Sequence, residues 1–258
     1  VELVHLATLY HDDVIDEAAA RRGTPSANAR WDNTVAILTG DFLFARASEL
    51  SARLGVEVTR IMADTRARLC EGQIGEVQAS AGTVPADVPV LPATREHYLD
   101  VIAGKTASLI ETSCRYGALL SGVDADGVEA AARYGFEVGM AFQLSDDLID
   151  LLAPAEVSGK VPGTDLREGV RTLPVLYALE DETSAGGHEL ARLLDGPLGD
   201  TEVTRALELL RASTGPVRAR AEAGERVEAA IGHLTRFGDR PVVTALERLA
   251  RYALDRLG

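Results

Sequence analysis

Apolar residues recur at intervals of three and four along almost the whole chain, the spacing that lines one face of an α-helix. The pattern predicts helices over roughly 1–20, 29–54, 56–79, 95–120, 124–152, 170–183, 201–213, 216–235 and 239–257. The segments between them carry the breakers. These are Gly23, Thr24 and Pro25, then GTVPADVPVLPAT at 82–94, SGVDAD at 121–126, PAEVSGKVPGTD at 154–165 and TSAGG at 183–187. Asp124 and Asp126 stand where a helix N-cap is wanted. Valine and isoleucine are plentiful, but no alternating run is bounded by hairpin signals, so no sheet is expected. The predicted helices are longer than the globular average, and no long polar linker divides the chain. Together these features predict an all-α fold, a large antiparallel helical bundle with a deep interior, in one domain over residues 1–258.

The chain opens VELVHLATLYHDD, without Met and already in helical periodicity, so further N-terminal helices are expected upstream of Val1. No positively charged segment precedes the apolar run, which argues against a signal peptide. No stretch reaches 18 consecutive apolar residues, which argues against a membrane-spanning helix. The 258 residues are 46% apolar, enough for one sizeable core or two small ones. Forty Asp and Glu against 26 Lys and Arg leave a formal charge of -14, which disfavours nucleic acid and anionic membrane as partners. Cys70 and Cys114 have neither the number nor the spacing of a disulfide framework or a Cys-rich metal site. Buried thiols in a reducing compartment are the expectation.

Two places break the apolar pattern with clustered acids. Asp12, Asp13 and Asp16 occupy positions i, i+1 and i+4, preceded by ATLY, and Asp146, Asp147 and Asp150 repeat the arrangement after GMAFQL. On a helix the first and last of each set stand one turn apart, about 6 Å along the axis. Like charges at this spacing repel, and acids near the protein surface in an apolar context need a compensating charge. Oxygen-only clusters suit Mg²⁺, which keeps several waters and bridges carboxylates to substrate phosphates. Fixed cations also stand in apolar or turn segments: Arg21, Arg22, Lys105, Arg115 and Lys160. Arginine forks and lysine point charges hold phosphate oxygens. Carboxylates, metal and cations together describe a polyphosphate site. GKT at 104–106 lacks the first glycine of a Walker loop, so a P-loop nucleotide enzyme is a poor match. His11 adjoins the first motif but is expected only to pack or hydrogen-bond.

The segments HDDVIDEAAARRG at 11–23, LTGDFLFARA at 38–47, GKTASLIETS at 104–113, GMAFQLSDDLIDL at 139–151 and GKVPGTDLREGVRTLP at 159–174 resemble the polyprenyl synthetase family of trans-isoprenyl diphosphate synthases. They span most of the chain in the family's order. The resemblance implies an isoprenoid-synthase helical bundle around a deep central cavity, a cytoplasmic homodimer, and three Mg²⁺ bridging an allylic diphosphate to the two aspartate motifs. It implies isopentenyl diphosphate as second substrate and transient membrane contact for product release. By the same resemblance Asp12, Asp16 and Asp146 look like metal ligands, and Asp13, Asp147 and Asp150 like members or water-mediated supports of the same shells. Arg21, Lys105 and Lys160 look like contacts to the allylic diphosphate and Arg22 like a contact to isopentenyl diphosphate. Thr106 and Gln143 look like the lining of the reacting centre. A lysine usual in the family near the end of DLREG is replaced by Val170 and then Arg171.

The expected reaction is successive head-to-tail condensation of isopentenyl diphosphate onto an allylic diphosphate. In this family a bulky aromatic four or five residues before the first aspartate closes the product tunnel early. Thr8 and Ala7 stand there, both small, which implies a long product of about 30 to 50 carbons. The alternatives are a farnesyl or geranylgeranyl diphosphate synthase, a terpene cyclase, a head-to-head synthase, and a catalytically poor subunit of a heterodimeric synthase. The second DDxxD argues against the cyclase, and retention of all six aspartates argues against the poor subunit.

Overall fold

Helical periodicity is realised almost throughout the computed structural model, which describes residues 1–21, 23–79, 92–153, 162–180, 185–196 and 198–256. By packing, the chain divides into two compact units, Val1–Ala67 and Arg68–Gly258.

In the first unit, α1 (Glu2–Ile15) buries Val4 and Ala7 and packs along α3 (Asn33–Arg53), with the short α2 (Ala27–Arg30) beside it. The predicted helix 1–20 stops early, because Asp16 closes α1 and Glu17 turns to φ 49°. The following segment folds back through a two-residue antiparallel ladder, Ala20 opposite Pro25 and Arg21 opposite Thr24, around Gly23 at φ 77°. The sequence pattern gave no sign of this pairing. The predicted helix 29–54 is likewise broken, since the Asp32 side chain accepts the Val35 N–H at 2.8 Å and restarts the chain as α3. His11 packs edge-on against Phe44 at 5.5 Å, and its Nε2 lies 3.1 Å from the Ile37 carbonyl. Packing and hydrogen bonding were its expected roles.

Helix α4 (Val56–Ala79) carries the chain into the second unit, where α5 (Arg95–Ile102), a π-helical turn (Ala103–Ala107) and α6 (Ser108–Leu120) follow. The predicted run 95–120 thus contains a π turn, a feature often found at functional sites. Helix α7 (Ala125–Leu152) is the axis of the unit, and Asp124 caps it by accepting the Gly127 N–H at 2.8 Å. On one side of α7, Met140, Leu144 and Leu148 pack with Tyr98, Ile102, Leu173 and Leu176. On another, Tyr134, Val138 and Ala141 meet α12 (Gly215–Leu234) and α13 (Pro241–Asp255). Between these lie α8 (Thr164–Arg167), α9 (Leu173–Leu179), α10 (Ala185–Leu194) and α11 (Asp200–Ala212), which build a third cluster around Leu151, Leu190, Val203 and Leu210. Helices α8 and α10 both begin inside predicted breaks, and in α10 the helical spacing of HELARLL outweighs Gly186 and Gly187 before it. Cys70 is exposed rather than buried, and Cys114 is half-buried with its thiol pushed up to about 11 by burial. Among the described residues no helix is long and apolar enough to cross a membrane.

Candidate active site

Both aspartate motifs lie at the C-terminal ends of helices. Asp12 and Asp13 occupy the last turn of α1 and Asp16 is its C-cap, while Asp146, Asp147 and Asp150 fall in the last two turns of α7. Neither helix has a basic residue in its last turn. The carboxylates in the last turn, Asp12, Asp13 and Asp150, face the negative end of the helix dipole, an unfavourable placement by about 0.3–1 kcal/mol each. A cation at the helix end reverses that sign. The donor set is oxygen only and therefore fits Mg²⁺. Among the described residues no group of three or more His, Cys, Asp or Glu side chains could hold an ion alone. The remaining ligands would be water and substrate phosphate oxygens, as is common for Mg²⁺.

The middle acid of each motif is the buried one, Asp13 at 4% and Asp147 at 5% exposure. Asp13 Oδ1 accepts from Arg21 Nε at 2.7 Å and lies 2.6 Å from its second nitrogen. Asn28 Nδ2 donates to the Asp13 carbonyl at 2.9 Å, tying the folded-back segment onto the end of α1. Arg21, expected on the allylic diphosphate, is therefore anchored on the motif itself. Asp12 is half-buried and Asp16 exposed.

Asp147 takes a hydrogen bond at each oxygen. Tyr98 Oη donates to Oδ2, and Gln143 Nε2 donates to Oδ1 at 2.9 Å. Thr106 Oγ1 in turn donates to Gln143 Oε1 at 2.8 Å, so Thr106, Gln143, Asp147 and Tyr98 form one chain of hydrogen bonds. The π turn presents Thr106 and Lys105, and two close approaches hold it. A Cβ at Gly72 would fall 2.5 Å from the Lys105 nitrogen, and one at Gly139 would fall 2.6 Å from Ala107 Cα. Lys105 Nζ pairs with Glu76. Asp150 accepts the N–H groups of Thr164 and Asp165 at 3.2 and 3.3 Å, capping α8, and Asp146 pairs with Arg256 at 3.0 Å.

Burial pushes the Asp147 carboxyl up to about 7; the Tyr98 and Gln143 hydrogen bonds pull it down, and Asp146 and Asp150 add to the rise. A carboxyl raised on folding binds its proton more tightly in the native state, so folding stability falls as pH rises from the ordinary carboxylate range through about 7. The metal-free protein is therefore expected to melt higher at pH 6 than at pH 8. Asp147→Asn should flatten that dependence; an unchanged slope in the variant would refute the assignment.

Other expectations meet different partners. Arg115 is held by Glu111 and Glu129, each at 3.1 Å. Arg171 donates to the Leu194 carbonyl at 3.1 Å and lies 3.8 Å from Asp195. Arg22 and Lys160 fall outside the described residues. Ala7 is fully buried, and Thr8 is half-buried with Oγ1 bonded to the His5 carbonyl at 2.8 Å. Sequence reasoning passed over Tyr98, Glu76 and Arg256. Tyr98 lies two helical turns before Lys105, a spacing that could have drawn attention, whereas Glu76 and Arg256 carry no local signal.

Residues 1–210 match the family model described as polyprenyl synthetase. The chain is 48% identical over 259 residues to a nonaprenyl diphosphate synthase of Mycobacterium tuberculosis, covering 100% of this chain and 75% of that one. Among solved structures it superposes on a decaprenyl diphosphate synthase from Rhodobacter capsulatus with TM-score 0.89 and 34% identity, over 100% of this chain and 77% of that one. A geranylgeranyl pyrophosphate synthase from Corynebacterium glutamicum, complexed with calcium and isoprenyl diphosphate, matches with TM-score 0.83 and 43% identity, over 100% and 76% of the two chains.

Proposed function

The chain belongs to the polyprenyl synthetase family, and on that premise we propose that it extends an allylic diphosphate to a trans-polyprenyl diphosphate of about 30 to 50 carbons. It is a Mg²⁺-dependent prenyltransferase with the isoprenoid-synthase helical fold, and it condenses isopentenyl diphosphate with an allylic diphosphate. The observation that carries the site assignment is the pair of acidic motifs at helix C-termini that lack basic residues in the last turn.

In the proposed mechanism Asp12, Asp16 and Asp146 would hold the metal ions, three per site, with Asp150, which caps α8, as a water-mediated support. Mg²⁺ held there would supply positive charge to the leaving diphosphate. Asp13 holds Arg21 toward the allylic diphosphate, and Asp147 holds Gln143, whose amide holds Thr106. The oxygens of Thr106 and Gln143 present fixed partial negative charge to the allylic cation, so little reorganisation is needed as the carbon–oxygen bond breaks. Lys105 exchanges its Glu76 partner for diphosphate oxygen, with Lys160 and Arg22 completing the two diphosphate grips. Apolar walls keep water from quenching the cation. The isopentenyl double bond attacks the allylic cation to form the new carbon–carbon bond, and loss of a proton from the resulting cation, with the released diphosphate as base, restores the alkene.

The reaction is assigned to both motifs, so residues 1–258 are proposed as one functional domain. On α3, Val35, Leu38 and Phe42 form an exposed apolar stripe at i, i+3 and i+7, which fits burial in a homodimer. A cytoplasmic location is part of the same reading.

The product length rests on Thr8 and Ala7. Reverse-phase separation of dephosphorylated products, made with excess isopentenyl diphosphate, is expected to give chains of about 30 to 50 carbons. Thr8→Phe should shorten them, because an aromatic ring fills about one isoprene unit of tunnel. Ala7→Phe tests the same floor less cleanly, since adding a ring at a fully buried position costs about 1–3 kcal/mol by overpacking. A wild-type product of 20 carbons that Thr8→Phe leaves unchanged would refute the assignment.

A further inference from the structure

Arg256 closes the C-terminal end of α13 and reaches back to α7. One of its terminal nitrogens donates to Asp146 Oδ1 at 3.0 Å, and its guanidinium lies 4.7 Å from the ring centroid of Phe142, one helical turn before Asp146. Among the described residues its other terminal nitrogen is buried without a hydrogen-bond acceptor. As a structural clamp this contact is poor. The two side chains are 25% and 35% exposed, so solvent screens part of the attraction between them. A buried donor without an acceptor works against even that gain. As a cation the guanidinium is well placed, since it stands between the face of an aromatic ring and a carboxylate assigned to metal.

We propose that Arg256 is a resident competitor for the metal position at Asp146. Its guanidinium occupies the carboxylate oxygen before the ion arrives, then withdraws, and the last turn of α13 loosens with it. Phe142 and Asp146 form the two-point seat from which it is displaced. Metal loading at the second motif is thereby coupled to the order of the C-terminal helix. The proposal rests on the assignment of Asp146 as a metal ligand.

The test uses the full-length protein stripped of metal, as wild type, Arg256→Gln and Arg256→Lys. Mn²⁺ is titrated at a fixed concentration of inorganic diphosphate, with free Mn²⁺ read by electron paramagnetic resonance. Removing a partly exposed competing pair should tighten Mn²⁺ binding about two- to fivefold in Arg256→Gln. Arg256→Lys keeps the charge and should stay near wild type. Amides of residues 252–256 in the wild type should exchange faster with solvent once Mn²⁺ and diphosphate are added. Equal or weaker Mn²⁺ binding by Arg256→Gln, or unchanged exchange in the wild type, overturns the competitor role alone. Absence of Mn²⁺ binding by all three proteins overturns the metal assignment and the proposal with it.

Discussion

Asp12→Ala is expected to lower kcat/KM by at least about a hundredfold while leaving the helical fold intact, and Asp146→Ala to do the same. The two halves of this expectation have different causes. Activity falls because each side chain is assigned to the metal that neutralises the leaving diphosphate. Stability holds because Asp12 lies at the negative end of the α1 dipole with no basic residue in that last turn. Removing it relieves about 0.3–1 kcal/mol of unfavourable interaction. A melt without Mg²⁺ and diphosphate should therefore be unchanged or slightly higher for Asp12→Ala. Asp146 lies before the last turn of α7 and pairs with Arg256 at a partly exposed position, so its replacement should cost about 1 kcal/mol. Far-UV circular dichroism and thermal melts measure the fold, and steady-state rates at saturating Mg²⁺ measure the chemistry. Near-normal turnover in either variant would remove that residue from the metal shell.

How far such a site can be read from sequence is illustrated by the middle aspartates. Asp147 stands seven residues after Met140 and three after Leu144, both fully buried, so helical phase alone puts it on the core side of α7. Its burial was legible. Asp13 is different. The buried positions of α1 are Val4 and Ala7, and at about 100° per residue Asp13 falls on the face opposite Val4. It is buried because the chain turns back after Glu17 and Asn28 ties that turn to the Asp13 carbonyl. Periodicity cannot report burial by an irregular segment. The same distinction separates the helices that matched from those that did not. Helices α7, α11, α12 and α13 fall within two residues of their predicted bounds, because long amphipathic runs carry their own phase. The break at Asp32 and the π turn at 103–107 each depend on a local backbone arrangement that side-chain spacing leaves open. The aspartate motifs themselves were legible because repeated like charge in an apolar context calls for a ligand. Their partners Tyr98, Glu76 and Arg256 were not, since each reaches its partner only through tertiary packing.

Arg21→Ala should behave unlike Asp12→Ala, because Arg21 neutralises a buried charge. Its guanidinium places two nitrogens within 2.7 Å of Asp13 Oδ1, and the side chains are 38% and 6% exposed. Truncating the arginine leaves a desolvated carboxylate without its counter-charge. The cost should fall between that of an exposed pair and that of a fully buried one, on the order of 2 kcal/mol. The asymmetry is informative, since Asp13→Asn leaves behind an arginine that is already partly solvated and should cost less. A double-mutant cycle with Arg21→Ala and Asp13→Asn isolates the pair, and a coupling well above that of surface pairs is expected from their thermal or urea unfolding. Kinetics give a second, independent readout. With each substrate varied in turn, Arg21→Ala should raise the apparent KM for the allylic diphosphate more than for isopentenyl diphosphate, and Arg22→Ala should do the reverse. Adjacent residues cannot present their side chains equally to one diphosphate, whichever backbone carries them. Asp13→Asn should shift the allylic KM in the same direction as Arg21→Ala but by less, because it frees the guanidinium without removing it. Unfolding free energies that match the wild type, together with identical KM profiles for the two arginine variants, would leave neither the anchor nor the division of labour standing.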